Sequence, residues 1–365
     1  MKEGGAQRLS EKGFIPRLES LRGLAALAVV TYHIWSQFSA AAPTGWIDAI
    51  LSRMIASVAN GIGAVVIFFV LSGFVLARSL NRDPSAYRFL RNRVLRLLPA
   101  AVTVVALLAF LHWKFGFFVG YEAAFDPINV ILNMLLVRSD INGPMWSLTI
   151  ECAAIPLILL CMRLYRSYRA KPLWILVLVL FGLSFWGPYV HMLGGYTNMA
   201  PFYAFIIGIL VHFQARDVVE YLGRRWVGLA TASALALYWY FGSTRQPAPV
   251  LMLDALSAAV LIAVIVWQPG ITIFKVLDWR IVRFYGRISY SLYLFHPLGL
   301  AFSFRMIDPQ KIGLPLSLAA LAAALLAILF TTPIAWLSWK LVEVPGIRLG
   351  KSLFPKHRIV AVSST

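Results

Sequence analysis

Apolar stretches of roughly 17 to 25 residues recur from one end of the chain to the other, separated by short polar connections. Such runs are long enough to cross a bilayer as helices, and no connection between them has room for a separate soluble domain. The pattern predicts an all-α polytopic helix bundle with crossings near 22–41, 55–77, 98–118, 147–162, 173–192, 199–213, 227–242, 250–268, 288–304 and 316–338. The stretch 128–138 is too short to span and reads as a re-entrant or interfacial piece.

Charge orients this arrangement. With the N-terminus cytoplasmic, ten crossings leave only Arg53, Lys114, Arg138, Arg245, Arg305 and Lys311, out of 33 Lys and Arg, on the outer side. The bias follows the positive-inside rule and predicts that both termini are cytoplasmic. The expected organisation is one membrane domain over 1–345 and a basic cytoplasmic tail over 346–365. Ser39 to Ala42 resemble a signal cleavage site, but the apolar run before them is long and contains Tyr32, His33 and Trp35, so a retained first helix is expected.

Composition agrees with the pattern: 60% of residues are hydrophobic, 13% are charged, and the mean hydropathy is +0.77. The net charge of +18 would suggest nucleic acid in a soluble protein; here the position of the charges explains it, and no nucleic-acid partner is expected. Cys152 and Cys161, nine apart on one predicted helix, point to opposite faces and cannot pair. Six scattered histidines without a carboxylate cluster predict no metal site.

Polar residues inside the apolar runs carry the candidate chemistry, because an ionisable group at membrane depth costs about 2.5 kcal/mol or more when charged and usually faces a bundle interior or cavity. In RLESLRGLAALAVVTYHIW, Arg22 and His33 stand eleven apart, three helical turns plus about 20°, on one face and roughly 16 Å apart along the axis. In IFFVLSGFVLAR, Ser72 and Gly73 permit close approach of a helix or a ligand. YRFLRNRVLRLLP places Arg93 and Arg96 on one face, where they hold either lipid headgroups or a phosphorylated cytosolic ligand. In NGPMWSLTIE, Glu151 enters the membrane and needs an arginine, a histidine or water. Asp254 lies near an outer helix end, where it is expected to reach water. In RISYSLYLFHP, Ser289 and His296 share a face with Tyr293 nearby, and Pro297 frees the carbonyl of Tyr293 for a polar partner. Each of these also has a purely structural reading in helix packing or local pairing.

In this order the segments resemble the acyltransferase-3 family of integral membrane acyltransferases that act on O-antigen, exopolysaccharide, Nod-factor or macrolide acceptors. The resemblance covers nearly the whole chain and rests on Arg22 and His33 with ten residues between them, FFVLSGF, the arginine-rich segment ending RLLP, WSLTIE, SYSLYLFHP, and Glu343 with Pro345. Asn92-Arg93 stands where that family pairs two arginines, so Arg88 and Arg91 remain auxiliary candidates.

The resemblance implies an enzyme of the bacterial inner (cytoplasmic) membrane that moves an acyl group, acetyl first, from cytosolic acyl-CoA to a hydroxyl of a cell-surface polysaccharide or lipid-linked glycan. Acyl-CoA is a co-substrate rather than a bound cofactor. It implies His33 as base, Arg22 orienting the donor or stabilising negative charge, and Glu151 positioning the acceptor. Arg93, Arg96, Ser72 and Gly73 then serve acyl-CoA, with His296, Ser289 and Tyr293 as secondary candidates. Some relatives carry a fused extracytoplasmic domain, so here either the membrane domain completes transfer or a partner protein does. The competing class is a transporter or flippase for an envelope precursor, which predicts broken helices in two similar halves; no such repeat is found.

Overall fold

The computed structural model describes residues 15–119, 123–185, 190–192, 195–197, 202–242, 247–308 and 313–352. These form a helix bundle: α1 (Pro16–Phe38), α2 (Trp46–Val58), α3 (Gly61–Arg82), α4 (Ala86–Phe115), α5 (Pro127–Met134), α6 (Trp146–Tyr168), α7 (Lys171–Leu183), α8 (Phe202–Phe241), α9 (Ala248–Trp267), α10 (Arg280–Met306), α11 (Leu316–Ser338) and α12 (Val344–Ser352). A five-residue π turn, Trp339–Glu343, joins the last two. The one extended feature among the described residues pairs Val190–Met192 with Gly195–Thr197.

Six stretches are both long and apolar enough to cross a membrane: Trp46–Arg82, Ala86–Phe115, Gly143–Tyr168, Phe202–Phe241, Ala248–Trp267 and Leu316–Gly350. The 23-residue α1 and the 27-residue α10 reach spanning length but are less apolar, because they carry the buried polar residues singled out above.

Local chemistry sets the ends. Pro16 sits in the first turn of α1, where a missing N–H costs nothing. Asn60 caps α3 by accepting from Gly63 N at 2.8 Å, and Gly116, at φ 62°, ends α4 in the left-handed region. Asp48, on α2, accepts from the backbone N–H groups of Leu316 and Ser317 at 2.9 and 2.8 Å, so a carboxylate from a distant segment caps α11.

The expected crossings at 199–213 and 227–242 are one helical run broken at Gly223, whose φ of 67° no helix accommodates. Phe205 and Gly208 pack against the middle of α3, whereas the carbonyl of Tyr238 accepts from Asn60 at its start, 3.1 Å away. The chain therefore reverses at Gly223, and its two arms are antiparallel. The expected crossing at 173–192 is overturned in its second half: α7 is 13 residues, about 20 Å at 1.5 Å per residue, and the pairing at 190–192 follows it. α5, at eight residues, is likewise too short to span. The expected boundary at 345/346 falls inside α12, which docks on α4 through Arg91 Nη2 and the Gly350 carbonyl, 2.9 Å apart. Residues 353–365 lie outside the described residues.

Two interlocks fix the bundle around the candidate residues. A Cβ on Gly73 would lie 2.0 Å from the Phe205 carbonyl oxygen, and one on Gly208 2.0 Å from that of Val70, so α3 and the first arm of α8 touch backbone to backbone. Gly23 and Gly286 bring α1 and α10 together in the same way, a Cβ on Gly23 meeting Gly286 N at 2.4 Å.

Candidate active site

The contact at Gly23 and Gly286 aligns α1 with α10, and one consequence lies three turns further along α1. His33 and His296 stack there, ring centroids 5.3 Å apart at 29°. His296 is fully buried. Pro297 has no N–H to give the Tyr293 carbonyl, and His296 takes its place, with Nδ1 2.6 Å from that oxygen. A carbonyl only accepts, so Nδ1 donates and the neutral ring carries its lone pair on Nε2. Nε2 is buried without a partner among the described residues. Tyr293 is held in turn: its hydroxyl donates to the Pro144 carbonyl at 2.8 Å and lies 2.8 Å from Ser147 Oγ. Asn142 Nδ2 donates to the Leu294 carbonyl at 3.0 Å, so the turn at 142–147 clamps α10 at the histidine.

Toward the basic end of the bundle lies a second cluster. Arg93 donates to the Glu151 carboxylate, Ser72 Oγ donates to the same carboxylate oxygen at 2.5 Å, and Arg93 Nη2 lies 3.2 Å from Ser72 Oγ. The three tie α3, α4 and α6 together at a nearly dry position, the Arg93 and Glu151 side chains being 8% and 17% exposed. Glu343 is buried close by and accepts from Ser291 Oγ at 3.2 Å. The Tyr290 hydroxyl donates to the Leu97 carbonyl at 2.7 Å.

A cavity of about 410 Å³ opens at this end between α1, α3 and α4, walled by Arg22, Arg78, Arg82, Arg93 and Arg96 with Glu19 as its carboxylate. A separate, smaller cavity of about 60 Å³ shares Arg22, Arg93 and Arg96 with it and is lined further by Ser72, Glu151, Ser147, Ser289 and Tyr293. Tyr293 separates that smaller cavity from the histidines, its ring centroid 5.7 Å from that of His296.

The structure thus groups the sequence candidates in two sets, His33 with His296 and Tyr293, and Arg22 with Arg93, Arg96, Ser72, Glu151 and Ser289. Of the partners the sequence allowed for Glu151, an arginine, a histidine or water, the structure supplies the arginine, Arg93. Two expectations change. Gly73 does not line the cavity; the Phe205 backbone occupies its open face. Asp254 is 1% exposed and does not reach water. Arg88 pairs with Asp83 at 3.1 Å, and Arg91 with a backbone carbonyl, so neither auxiliary arginine lines the cavity. The sequence analysis singled out neither Arg78 nor Arg82 as a site residue, although their spacing of four put them on one face. Among the described residues no His, Cys, Asp and Glu cluster suits a metal, and both cysteines are free.

A family model described as an acyltransferase domain, acyltransferase 3, matches residues 15–340. The chain is 26% identical to nodulation protein 10 of Rhizobium leguminosarum bv. viciae, across 98% of this chain and all of that protein. It is 27% identical to the acyltransferase MdmB of Streptomyces mycarofaciens, across 92% of each. A further match, 30% identical over 107 residues, is the O-acetyl transferase of Shigella phage Sf6, covering 26% of this chain and 32% of that protein. No solved structure matches.

Proposed function

The chain belongs to this acyltransferase family, a multi-pass membrane O-acyltransferase by its helices and its relatives, and from that premise we propose that it takes an acyl group, acetyl first, from cytosolic acyl-CoA and gives it to a hydroxyl of an envelope glycan. The observation that supports the donor is the cavity at the basic end, which gathers several guanidinium groups beside a smaller cavity that reaches Tyr293, whose ring lies against that of His296. Guanidinium forks suit phosphate oxygens, and a thioester is the part of such a donor that must travel inward. Arg22 and His33, about 16 Å apart on α1, set the span between anionic and reacting ends, one that an extended pantetheine arm covers.

In this mechanism the acceptor hydroxyl gives its proton to a neutral imidazole nitrogen of His33 as its oxygen attacks the thioester carbonyl. The carbon–sulfur bond then breaks, and the departing thiolate takes that proton to leave as free coenzyme A. His296 acts through His33 as a positioning residue: its ring lies against the base, and its own orientation is fixed by the Tyr293 carbonyl. Arg22, at the anionic end of that span, orients the donor. Glu151 keeps Arg93 in place rather than meeting the acceptor.

The acceptor reading draws on relatives that include a nodulation protein and a phage O-acetyl transferase. In this reading the enzyme works in the bacterial inner membrane with its basic end cytoplasmic, an orientation that the positive-inside bias supports. Inside-out membrane vesicles supplied with radiolabelled acetyl-CoA test the proposal. It requires label in the glycan fraction and free thiol in equal amount. Vesicles that release no thiol from acetyl-, propionyl- or butyryl-CoA in the presence of envelope glycans overturn it.

A further inference from the structure

A further cavity of about 410 Å³ lies away from the candidate site, enclosed by the two arms of α8, by α9 and by the start of α7. Its wall is aliphatic except for Trp174 and Gln214, and these two satisfy each other, Trp174 Nε1 donating to Gln214 Oε1 at 3.2 Å. None of the lining side chains is charged. Such a wall does not hold water, which needs two to four polar partners, about three on average. It suits hydrocarbon: at roughly 30 Å³ for each methylene-sized unit, the space takes about a dozen, the reach of one fatty acyl chain.

The rim has the opposite character. His212, on the first arm, packs on Phe74, so that arm runs beside α3 toward Arg78 and Arg82 and the reversal at Gly223 lies at the basic end. Leu222 and Val227 both line the cavity, so the turn between them is its edge. That edge carries Arg224 and Arg225, which are exposed and form no ion pair or hydrogen bond among the described residues; Arg216 nearby is committed to Glu220 at 2.8 Å. A Cβ on Gly223 or Gly228 would meet nothing within 4 Å, so the space beside the arginines is open. Both arginines stand in the first turn of the second arm, the positive end of its dipole, where an anion is favoured and a bare cation is not. Tyr221 and Trp226 flank them, 89% and 59% exposed, as aromatic residues do at a membrane–water boundary. Basic residues on such a turn help to orient any membrane chain. What sets this pair apart is a cavity of hydrocarbon size directly beneath it.

We infer that this cavity is a binding site for an anionic phospholipid, with one acyl chain between the arms of α8 and the headgroup phosphate on Arg224 and Arg225. The inference is independent of the acyl-transfer reading. Charge complementarity selects the occupant, since guanidinium forks hold phosphate bidentately and two adjacent ones favour a headgroup with net negative charge. The site also braces the molecule. The first arm seats on α3 through Phe205 and Gly208, next to Ser72, while the second is tied to the start of α3 through Tyr238 and Asn60. A chain wedged between the arms supports the wall behind Ser72.

Native mass spectrometry of the full-length protein, released from mild detergent after incubation with equal amounts of phosphatidylglycerol and phosphatidylcholine, counts the lipid that stays. The wild type is expected to retain about one phosphatidylglycerol per chain and to prefer it about tenfold over phosphatidylcholine. Arg224→Gln combined with Arg225→Gln, at exposed positions, brings the two lipids within about twofold of each other. Ala259→Phe on α9 and Ala230→Phe on the second arm fill the cavity from different walls, and each lowers retention of both lipids by about fivefold or more. Leu321→Phe, on the exposed face of α11, changes neither. A wild type that retains no phospholipid overturns the site, and so does a preference that survives the loss of both arginines. Retention unchanged in a folded Ala259→Phe or Ala230→Phe variant puts the lipid on the outer surface of the bundle and overturns it equally. The arginine variant leaves the cavity wall intact, so it decides the matter even where a filled cavity prevents folding.

Discussion

Removing one partner of the Arg93–Glu151 pair should cost far more than removing both. The two side chains are 8% and 17% exposed, and Ser72 completes a three-way contact at 2.5 Å to the carboxylate and 3.2 Å to the guanidinium. Glu151→Ala strands a buried guanidinium and a hydroxyl, for which about 3–5 kcal/mol is the usual cost. Arg93→Met strands a carboxylate at a similar cost. The double variant Arg93→Met with Glu151→Leu fills the site with apolar atoms and leaves no charge behind, so its cost should be about 1–2 kcal/mol. The implied coupling exceeds about 3 kcal/mol, more than a hundredfold in the folding equilibrium. Reversible SDS-driven unfolding of the purified protein measures all three variants. Single costs that add to within about 0.5 kcal/mol refute the reasoning, since that is the behaviour of independent sites. The same double variant reports on function. With Arg93 held by Glu151 rather than closing on the donor, its KM for acetyl-CoA stays within about threefold of wild type; a rise of tenfold or more puts Arg93 on the donor.

Three further outcomes follow from single contacts. Pro297→Ala restores an N–H that competes with His296 Nδ1 for the Tyr293 carbonyl; kcat should fall about tenfold with KM and Tm held or Tm raised, and an unchanged kcat contradicts the role given to that bond. Gly286→Ala brings a Cβ within 2.7 Å of the Glu19 carbonyl oxygen, so it should part α1 from α10 and lower stability by about 2 kcal/mol or more along with activity, whereas a variant with wild-type unfolding removes the interlock from the account. The hydrogen bond from Arg17 holds the carboxyl of Asp278 below the usual carboxylate range, so its stabilisation is present above the unfolded value, about 3.9, and is lost as pH falls through the folded one. Asp278→Asn, at a partly exposed pair, should lower Tm by no more than about 2 °C at pH 7, and the gap should close below about pH 4; a gap that widens there contradicts the sign.

What the sequence carried and what it did not divide along the range of the interactions. The free carbonyl of Tyr293 was legible because one proline, by removing one N–H, creates the vacancy four residues earlier on the same helix; that His296 fills it was not. The shared face of Arg22 and His33 was legible for the same reason, as a matter of helical phase. The reversal between 199–213 and 227–242 was expected from the length of the apolar runs and the charges between them, and Gly223 supplies it. The partner of Glu151 was not legible: its need for a cation was evident, but α4 had to cross α6 before Arg93 could answer it. Gly73 was read with Ser72 as one small-residue pair, yet neighbours on a helix point 100° apart, so one lines the cavity while the other packs on α8. Depth along the axis also misled at Asp254, since proximity to a helix end says nothing of the neighbours that cover it. The 13 residues of α7 show the same limit from the other side, because hydropathy measures how apolar a segment is and not where its helix stops.

The account depends most on His33 as the base beside a donor anchored at the basic end. Transfer from radiolabelled acetyl-CoA to envelope glycans, measured in membranes holding equal amounts of wild type or His33→Ala, tests that most directly. The account predicts transfer by the wild type and a loss of at least about a hundredfold in the variant, as expected on removal of a general base. Equal transfer by both proteins would contradict it and move the base to His296.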